Sequence, residues 1–171
     1  IFRPMPPNVS ERHYLGTDTT SRDILARLFY GTRIALVFAL AFTACVYVIG
    51  ITIGCAMGYF GGVFDLVFQR IIEIWSNIPF LYMVIIIFSV IPSTVAVATQ
   101  IGILLLVMVL FSWTGMTYYM RTETYKEKSR DYIASARVIG ASITRIIFRH
   151  LMPNVLSTLV TFMPFTVVAA I

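Results

Sequence analysis

The chain has 171 residues, of which 58% are hydrophobic and 12% are charged, and its mean hydropathy is +0.86. Soluble globular domains rarely have this composition, so we expect an all-α membrane protein. The net charge of +5 does not indicate nucleic-acid binding, because most of it lies in two segments beside apolar runs.

The opening segment, residues 1–33, is predicted to lead into the first span. It carries five Lys or Arg residues against three acids. Its only histidine, His13, lies in a predicted loop, and we interpret it as structural because metal sites need clustered ligands.

Four apolar runs predict membrane-spanning helices at about residues 34–60, 65–91, 99–120 and 154–171. The first holds 26 positions without a charge, at residues 34–59, which is enough to cross a hydrocarbon core of about 30 Å. Turn residues within 91–100 allow the chain to reverse between the second and third runs. Because the chain starts without Met and stops inside the fourth run, we expect an excerpt of a longer chain.

The first two spans contain the residues whose chemistry needs an explanation. Cys45 and Cys55 lie about 80° apart and roughly three turns along one helix, so they cannot form a disulfide and are interpreted as packing residues. Asp65, Arg70 and Glu73 begin the second span, and Arg70 is expected to pair with Glu73 one turn on. An anchoring role is favoured for these charges, with a substrate or proton site as the alternative.

No catalytic motif occurs in the sequence. It has no phosphate-binding loop, no zinc-protease motif and no nucleophile elbow, so no catalytic residue, cofactor or metal ligand is expected. His150, on the apolar face of a predicted short helix, is interpreted as structural.

The segment 121–153 is predicted to be a cytoplasmic loop. It holds seven Lys or Arg residues against three acids up to position 150, and basic loops usually face the cytoplasm. Three spans separate it from residues 1–33, which are therefore predicted to be extracytoplasmic.

Within this loop, residues 131–151 predict a helix, a bend and a second helix, which we call the elbow. Gly140 can adopt a left-handed conformation that stops a helix at 132–139, and Ser142 can cap the next helix. The second helix would place four apolar residues on one face: Ile143, Ile146, Ile147 and Leu151. Pro153 suits the first turn of the following span. The small residues of the elbow permit close approach by another protein; an amphipathic helix on the lipid surface is the alternative.

The segment DYIASARVIGASITRIIFRHLMPN, residues 131–154, resembles the EAA loop of ATP-binding-cassette importer permeases. Ala134, Ser135 and Ala136 occupy the Glu-Ala-Ala positions, Gly140 the glycine, and Met152 with Pro153 the Leu-Pro. The family's Glu is absent. By this resemblance the ATPase docks on Tyr132, Ala134, Ser135, Ala136, Arg137, Gly140 and Ala141.

A second segment, HYLGTDTTSRDILARLFYGTRIAL at residues 13–36, resembles a string found in oligopeptide, dipeptide and nickel permeases. Ser21 replaces the usual glycine of its GRD element, and Ala35 replaces a serine. A third piece, GYFGG followed by charges and a proline, is similar to the same family. The positions that match are Gly16, Thr17, Asp18, Arg22, Asp23, Gly31, Arg33, Asp65, Arg70, Pro79 and Pro153.

The resemblance implies that residues 34–171 belong to a type I importer transmembrane domain, a helical bundle with a cytoplasmic coupling helix. Such a domain has about six spans, one before Ile1 and one after the last run. The implied partners in the bacterial inner membrane are a homologous permease, two cytoplasmic ABC ATPase domains and an extracytoplasmic peptide-binding protein. Peptides, including ones like microcin C, are the implied cargo. An ATPase-independent secondary transporter or membrane scaffold is the alternative.

Overall fold

The computed structural model describes residues 4–8 and 13–171; residues 1–3 and 9–12 of the predicted extracytoplasmic segment lie outside the described residues. The described part is helical, and its only β-type pairings are two isolated bridges. The helices in chain order are α1 (Ile24–Phe60), α2 (Gly62–Ser76), α3 (Phe80–Val90), α4 (Val97–Lys128), α5 (Asp131–Val138), α6 (Ile143–Arg145), a π-helix (Ile146–Leu151) and α7 (Met152–Ala170). The predicted all-α class is confirmed.

Three helical stretches are long and apolar enough to cross a membrane: α1, α4 and the continuous run Ile143–Ala170. Two of them extend beyond the predicted spans. α1 begins ten residues before position 34, because the Asp23 carboxylate accepts hydrogen bonds from the first free amides of the helix. α4 continues to Lys128, through a polar turn that includes a Glu123–Lys126 ion pair three residues apart.

The helix in the predicted span 65–91 breaks between α2 and α3. The two helices are bent by 64° to one another. Pro79 has no N–H to donate, and its ring disfavours helical geometry at the residue before it. The side chain of Asn77 donates to the carbonyl of Glu73 at 2.7 Å and so satisfies one of the last acceptors of α2.

The bent pair α2–α3 runs from one end of α4 to the other. Asp65 near the start of α2 contacts Arg121 near the end of α4, and Trp75 Nε1 donates to the carbonyl of Leu110 at 2.8 Å. A short connection after α3 then leads to the start of α4, a helix of 32 residues and therefore about 48 Å long. The pair thus has the geometry of one bent crossing, which makes four candidate crossings in the described chain.

Glycines on one face of α1 let it lie directly against α4. A Cβ atom added to Gly50 would lie 2.5 Å from Met116 Cγ, and one added to Gly54 would lie 2.5 Å from the carbonyl oxygen of Thr117. At Gly58 it would lie 2.6 Å from a side-chain carbon of Thr124. Residues four apart share one helix face, and small residues there allow close helix packing in membranes. Because the contacts advance together along both helices, α1 and α4 run parallel.

The buried core lies at the end of the molecule where α1 and α4 finish. Its residues come from α1, α4, α5, the π-helix and α7: Cys55, Tyr59, Met120, Ile133, Ile146, Leu151, Val155 and Leu159. The elbow is therefore part of the main core. Cys45 is exposed, Cys55 is buried, and both are free thiols, so the prediction of no disulfide between them is confirmed.

Candidate coupling surface

The first bend of the elbow is a helix stop built on Gly140. This residue has φ +81°, and its N–H donates to the carbonyl of Arg137 at 2.9 Å. The N–H of Ala141 donates to the carbonyl of Ala136 at 3.0 Å. These two bonds form a Schellman motif, which satisfies the free carbonyls of α5. The left-handed conformation expected at Gly140 is confirmed.

Ser142 begins the second helix as predicted: its side chain accepts a hydrogen bond from the N–H of Arg145 at 3.4 Å. Of the predicted apolar face, Ile146 and Leu151 are buried and Ile147 is partly buried. Ile143 is 52% exposed, so its place on the buried face is wrong. α6 is a single turn and the chain passes directly into the π-helix, so the elbow contributes little buried surface at Ile143.

The π-helix precedes Pro153 and was not predicted from the sequence. Met152 N–H bonds to the carbonyl of Ile147, five residues back. In a regular helix the ring of Pro153 would clash with the carbonyl of Arg149. The nitrogen of Pro153 also has no hydrogen to donate to that carbonyl. A wider turn relieves that clash, so the proline accounts for the π-helix.

Tyr132 ties the elbow to both neighbouring helices. Its hydroxyl donates to Glu127 Oε2 of α4 at 2.7 Å and accepts from Asn154 Nδ2 of α7 at 3.0 Å. Burial, together with the Glu127 carboxylate, raises the pKa of Tyr132, which keeps the hydroxyl protonated as a donor. Asn154 also donates to the carbonyl of His150 at 2.8 Å. The elbow is therefore fixed to α4 and α7.

The predicted docking residues divide into two groups. Ala134, Ser135, Arg137 and Gly140 are exposed. Tyr132, Ala136 and Ala141 are partly buried and pack against the core, so they support the elbow from below. The structure adds two exposed apolar residues between the groups, Val138 at 87% and Ile139 at 85% exposed. The sequence signal that could have identified these two residues is their position directly before Gly140, the predicted helix stop.

Asp65, near the start of α2, is buried and forms an ion pair with Arg121 of α4. Its two carboxylate oxygens accept from Nε and a terminal nitrogen of Arg121 at 2.5 and 2.6 Å. Tyr125 and Gln69 donate to the same carboxylate at 3.0 and 2.9 Å. This arrangement supports the anchoring interpretation of Asp65. The partner Arg121 was missed because it lies 56 residues away and gives no local signal.

The predicted pair in α2 is confirmed, with Arg70 donating to Glu73 at 2.6 Å. Both side chains are largely exposed. Among the described residues, no group of three or more His, Cys, Asp or Glu residues is arranged to hold a metal ion.

The N-terminal motif builds the loop that precedes α1. Asp18 accepts from the N–H groups of Thr20 and Arg22 at 2.8 and 2.9 Å and pairs with Arg27, and hydrogen bonds led by the Thr20 hydroxyl hold its pKa well below the usual range. Gly16 has φ +76°, and a Cβ there would lie 2.4 Å from the carbonyl oxygen of Met5. Thr17 accepts from the N–H of Met5 at 2.9 Å. These motif positions have a structural explanation.

The same loop ends on the cap of α1. Asp23 accepts from the N–H groups of Leu25 and Ala26 at 2.8 and 3.1 Å, and its other oxygen lies 2.9 Å from His13 Nδ1. The structural role expected for His13 is thus confirmed. Ser21, which stands at the glycine position of the motif, has φ +59°.

The remaining motif positions lie apart from this loop. Gly31 and Arg33 are exposed on α1, Pro79 lies at the break between α2 and α3, and Pro153 follows the π-helix. The structure therefore does not bring the motif residues into one site.

Comparison with known proteins identifies a family over most of these elements. A family model described as binding-protein-dependent transport system inner membrane component matches residues 50–171. The match includes the glycine face of α1, the bent pair, α4, the elbow and α7.

Individual relatives extend the similarity to the N-terminal segment. The inner membrane ABC transporter permease protein YejE of Escherichia coli (strain K12) is 39% identical over 169 residues, which cover 99% of this chain and 48% of the relative. The peptidoglycan transport system permease protein YejE of Agrobacterium fabrum is 41% identical over 90% of this chain and 39% of its own length. The dipeptide transport system permease protein DppC of Bacillus subtilis is 31% identical over 98% of this chain and 50% of its own. The chain spans about half the length of the curated relatives it matches.

Proposed function

The chain belongs to the family of binding-protein-dependent transport system inner membrane components, and on this premise we propose that it is a permease subunit of an ATP-driven importer. It is a multi-pass protein of the bacterial inner membrane. The proposed cargo is peptides, since similar proteins are named for dipeptide, oligopeptide and peptidoglycan transport. The chain forms half of the path, and a homologous permease forms the other half.

The elbow carries this proposal. Its exposed residues surround a glycine stop, and its underside is tied to α4 and α7 through Tyr132. A force applied to such a surface is transmitted to two membrane helices, because no loose linker separates them. We assign the exposed residues Ala134, Ser135 and Gly140 to the contact with a cytoplasmic ATPase, and Arg137, whose guanidinium lies over the Tyr59 ring, borders that contact. Residues 1–33 are assigned to the side of the peptide-binding protein.

The sidedness can be tested by cysteine labelling in intact cells. With Cys45 and Cys55 replaced by Ala, we expect an impermeant thiol reagent added outside to modify Thr19→Cys, an exposed position in the loop before α1, and to leave the exposed Ser129→Cys unlabelled until the membrane is opened. The opposite pattern would contradict the orientation, whatever the cargo.

The docking surface can be tested by cross-linking in membranes that hold the assembled transporter. We expect Ser135→Cys, on the exposed side of α5, to form a cross-link to the ATPase. Thr20→Cys, which is also exposed but lies in the loop before α1, is the matched control and should form none. Equal cross-linking at both positions, or none at Ser135, would contradict docking.

A substitution at the helix stop tests coupling itself. Gly140→Val forces a β-branched residue into the left-handed region, which costs about 1 to 2 kcal/mol and reorients the elbow. We expect ATP-dependent uptake to fall while the permease remains in the membrane. Thr144→Val adds a β-branched apolar residue at an exposed position outside the assigned contact, leaves the backbone unchanged and is the control. Unaltered uptake by Gly140→Val would exclude a role for this bend.

The energy source separates this proposal from a secondary transporter. The stretches 34–59, 74–98 and 100–120 hold no Asp, Glu, Lys, Arg or His, whereas ion-coupled carriers place such residues at mid-membrane depth. In sealed vesicles we expect uptake to require ATP on the cytoplasmic side and to survive collapse of the proton gradient at constant ATP. Uptake that continued without ATP and stopped with an uncoupler would favour the secondary transporter.

A further inference from the structure

Two cations lie against one aromatic ring where α1 ends. Lys128 Nζ, at the end of α4, is 5.5 Å from the ring centre of Tyr59, and Arg137 Cζ, on α5, is 5.7 Å from it. Lys128 also donates to the backbone carbonyl of Tyr59 at 2.5 Å. Three helices therefore bring two positive charges to one place beside the negative end of the α1 dipole.

These two cations have no carboxylate partner among residues 4–8 and 13–171, whereas their neighbours do. Lys126 bonds to Glu123 at 2.7 Å and Arg130 bonds to Glu127 at 2.9 Å. Burial lowers the pKa of Lys128, and the charge of Arg137 lowers it further. The two like charges repel one another, so an anion that reaches both would be stabilised by both.

The residues that follow Tyr59 in the chain present an apolar surface. Phe60 and Phe64 are exposed, and Val63 is 77% exposed, where α1 turns into α2. Positive side chains beside exposed apolar ones at the end of a span match the two parts of a phospholipid, a phosphate headgroup and acyl chains. A free phosphate ion shares the headgroup chemistry but has no acyl chain to contact the apolar surface.

We propose that Lys128, Arg137 and Tyr59 form a binding site for the phosphate headgroup of an anionic phospholipid. Its acyl chains lie along Phe60 and Val63. Arg137 is drawn back over Tyr59, while Val138 and Ile139 beside it are exposed, so the lipid lies beside the docking surface of the elbow. We assign this lipid to the cytoplasmic leaflet, which rests on the orientation given under the proposed function.

Lipid retention on the intact permease tests the site. The protein is placed in phosphatidylcholine nanodiscs with a minor fraction of phosphatidylglycerol, and bound lipid is counted by native mass spectrometry. An interfacial Lys or Arg typically strengthens binding of anionic lipid roughly fivefold. We therefore expect the double variant Lys128→Gln with Arg137→Gln to bind phosphatidylglycerol about 30-fold more weakly.

The matched control removes two charges that already have partners. Lys126→Gln with Arg130→Gln lies on the same part of the chain but involves cations paired with Glu123 and Glu127. We expect this variant, which removes the same two charges away from the Tyr59 ring, to bind phosphatidylglycerol at least about fivefold more tightly than the Lys128 and Arg137 variant. Equal weakening in both double variants would overturn the site in favour of general surface charge.

Two further arms separate the other sources of anions. If inorganic phosphate displaces phosphatidylglycerol from the original protein, the ligand is a free anion and the lipid assignment is wrong. If the Lys128 and Arg137 variant keeps its lipid but loses its ATPase, the cations belong to the protein interface. A charge-retaining variant, Lys128→Arg with Arg137→Lys, must hold phosphatidylglycerol as the original does, and its failure would overturn the proposal even if the Gln variant does not fold. Cross-linking at Ser135 reports on docking independently.

Discussion

The two halves of α1 are both apolar but have different surroundings. All of its buried residues lie between Ala39 and Tyr59, where the helix meets α4. In the first half, large apolar residues such as Phe29 and Val37 are exposed. Hydropathy therefore does not distinguish the half that packs from the half that does not.

The difference lies in side-chain size. The second half presents Gly50, Gly54 and Gly58 at intervals of four, and each meets an atom of α4 closely enough to exclude a Cβ. Gly31, in the first half, has open space around it. In a membrane the helix surfaces are apolar in any case, so close backbone approach rather than hydrophobicity decides which surfaces associate.

The largest effect is expected from removing the ion pair between Asp65 and Arg121, at the end of the molecule where α1 packs against α4. In Asp65→Asn the partly buried guanidinium of Arg121 loses the counter-charge of the buried Asp65, and breaking such a pair lowers the free energy of unfolding by about 3 kcal/mol. Glu73→Gln, which removes a carboxylate from an exposed pair on the same helix, should cost below about 1 kcal/mol. Unfolding in mixed micelles measures both. Equal losses would mean that burial at this end does not strengthen the pair.

A smaller effect is expected from alanine at equivalent glycines in the two halves. Gly54→Ala places a methyl group against the Thr117 carbonyl and the Arg121 backbone, which cannot move aside easily, and overpacking costs about 1 to 3 kcal/mol. Gly31→Ala should be neutral or stabilise the helix by up to about 1 kcal/mol. The same unfolding assay applies, and a loss at Gly31 as large as that at Gly54 would end the distinction between the halves.

The loop before α1 offers a stabilising change. Ser21 has a positive φ, which costs a residue with a side chain about 1 to 2 kcal/mol, so Ser21→Gly should stabilise the protein by about 0.5 to 1 kcal/mol after the entropy of glycine is subtracted. Ser21→Ala keeps the backbone cost and should give no gain, which separates the backbone from the hydroxyl. Identical shifts in melting temperature for the two variants would contradict the strain explanation.

The smallest and most local effect is the response of the α1 cap to acid. The hydrogen bond from His13, together with the helix amides, lowers the pKa of Asp23. A lowered pKa in the folded state means that the carboxylate stabilises the cap above its ordinary pKa of about 4 and loses this contribution as the pH falls further. Below about pH 4 we expect the protection of the Leu25 and Ala26 amides, measured as the ratio of intrinsic to observed hydrogen-exchange rates, to fall, with no change at the packed end.

Asp23→Asn is the control for this acid response. Asparagine also caps helices but does not titrate in this range, so the protection of the two amides relative to their intrinsic exchange rates should become independent of acid. An unchanged acid response in this variant would assign the effect to another group.

What the sequence predicted correctly depends on local chemistry. The Gly140 stop, the Ser142 cap and the Arg70–Glu73 pair each involve residues within one or two turns, so their types alone were sufficient. The spans at α1, α4 and α7 followed from apolar length. Docking of the exposed elbow residues on an ATPase stays a prediction.

What the sequence did not reveal depends on distant partners or on proline inside an apolar run. Asp65 and Arg121 are brought together only by the helix packing, 56 residues apart. Pro79 lies in a stretch without charged residues, where composition favours an unbroken helix, yet α2 and α3 are bent by 64° there. Pro153 was expected in the first turn of a span, and the π-helix before it was not foreseen. The glycines at intervals of four in α1 were visible in the sequence, but their close packing against another helix was not predicted.

The parallel arrangement of α1 and α4 has a consequence for biosynthesis. Cys55 and Thr124, whose side chains lie 3.5 Å apart at this contact, are separated by 69 residues. At typical translation rates the ribosome needs roughly 3 to 14 s to make that length. During this interval the glycine face of α1 has no α4 to pack against. Any other helix in the bilayer with a face of small residues then competes with α4 for contact with that face.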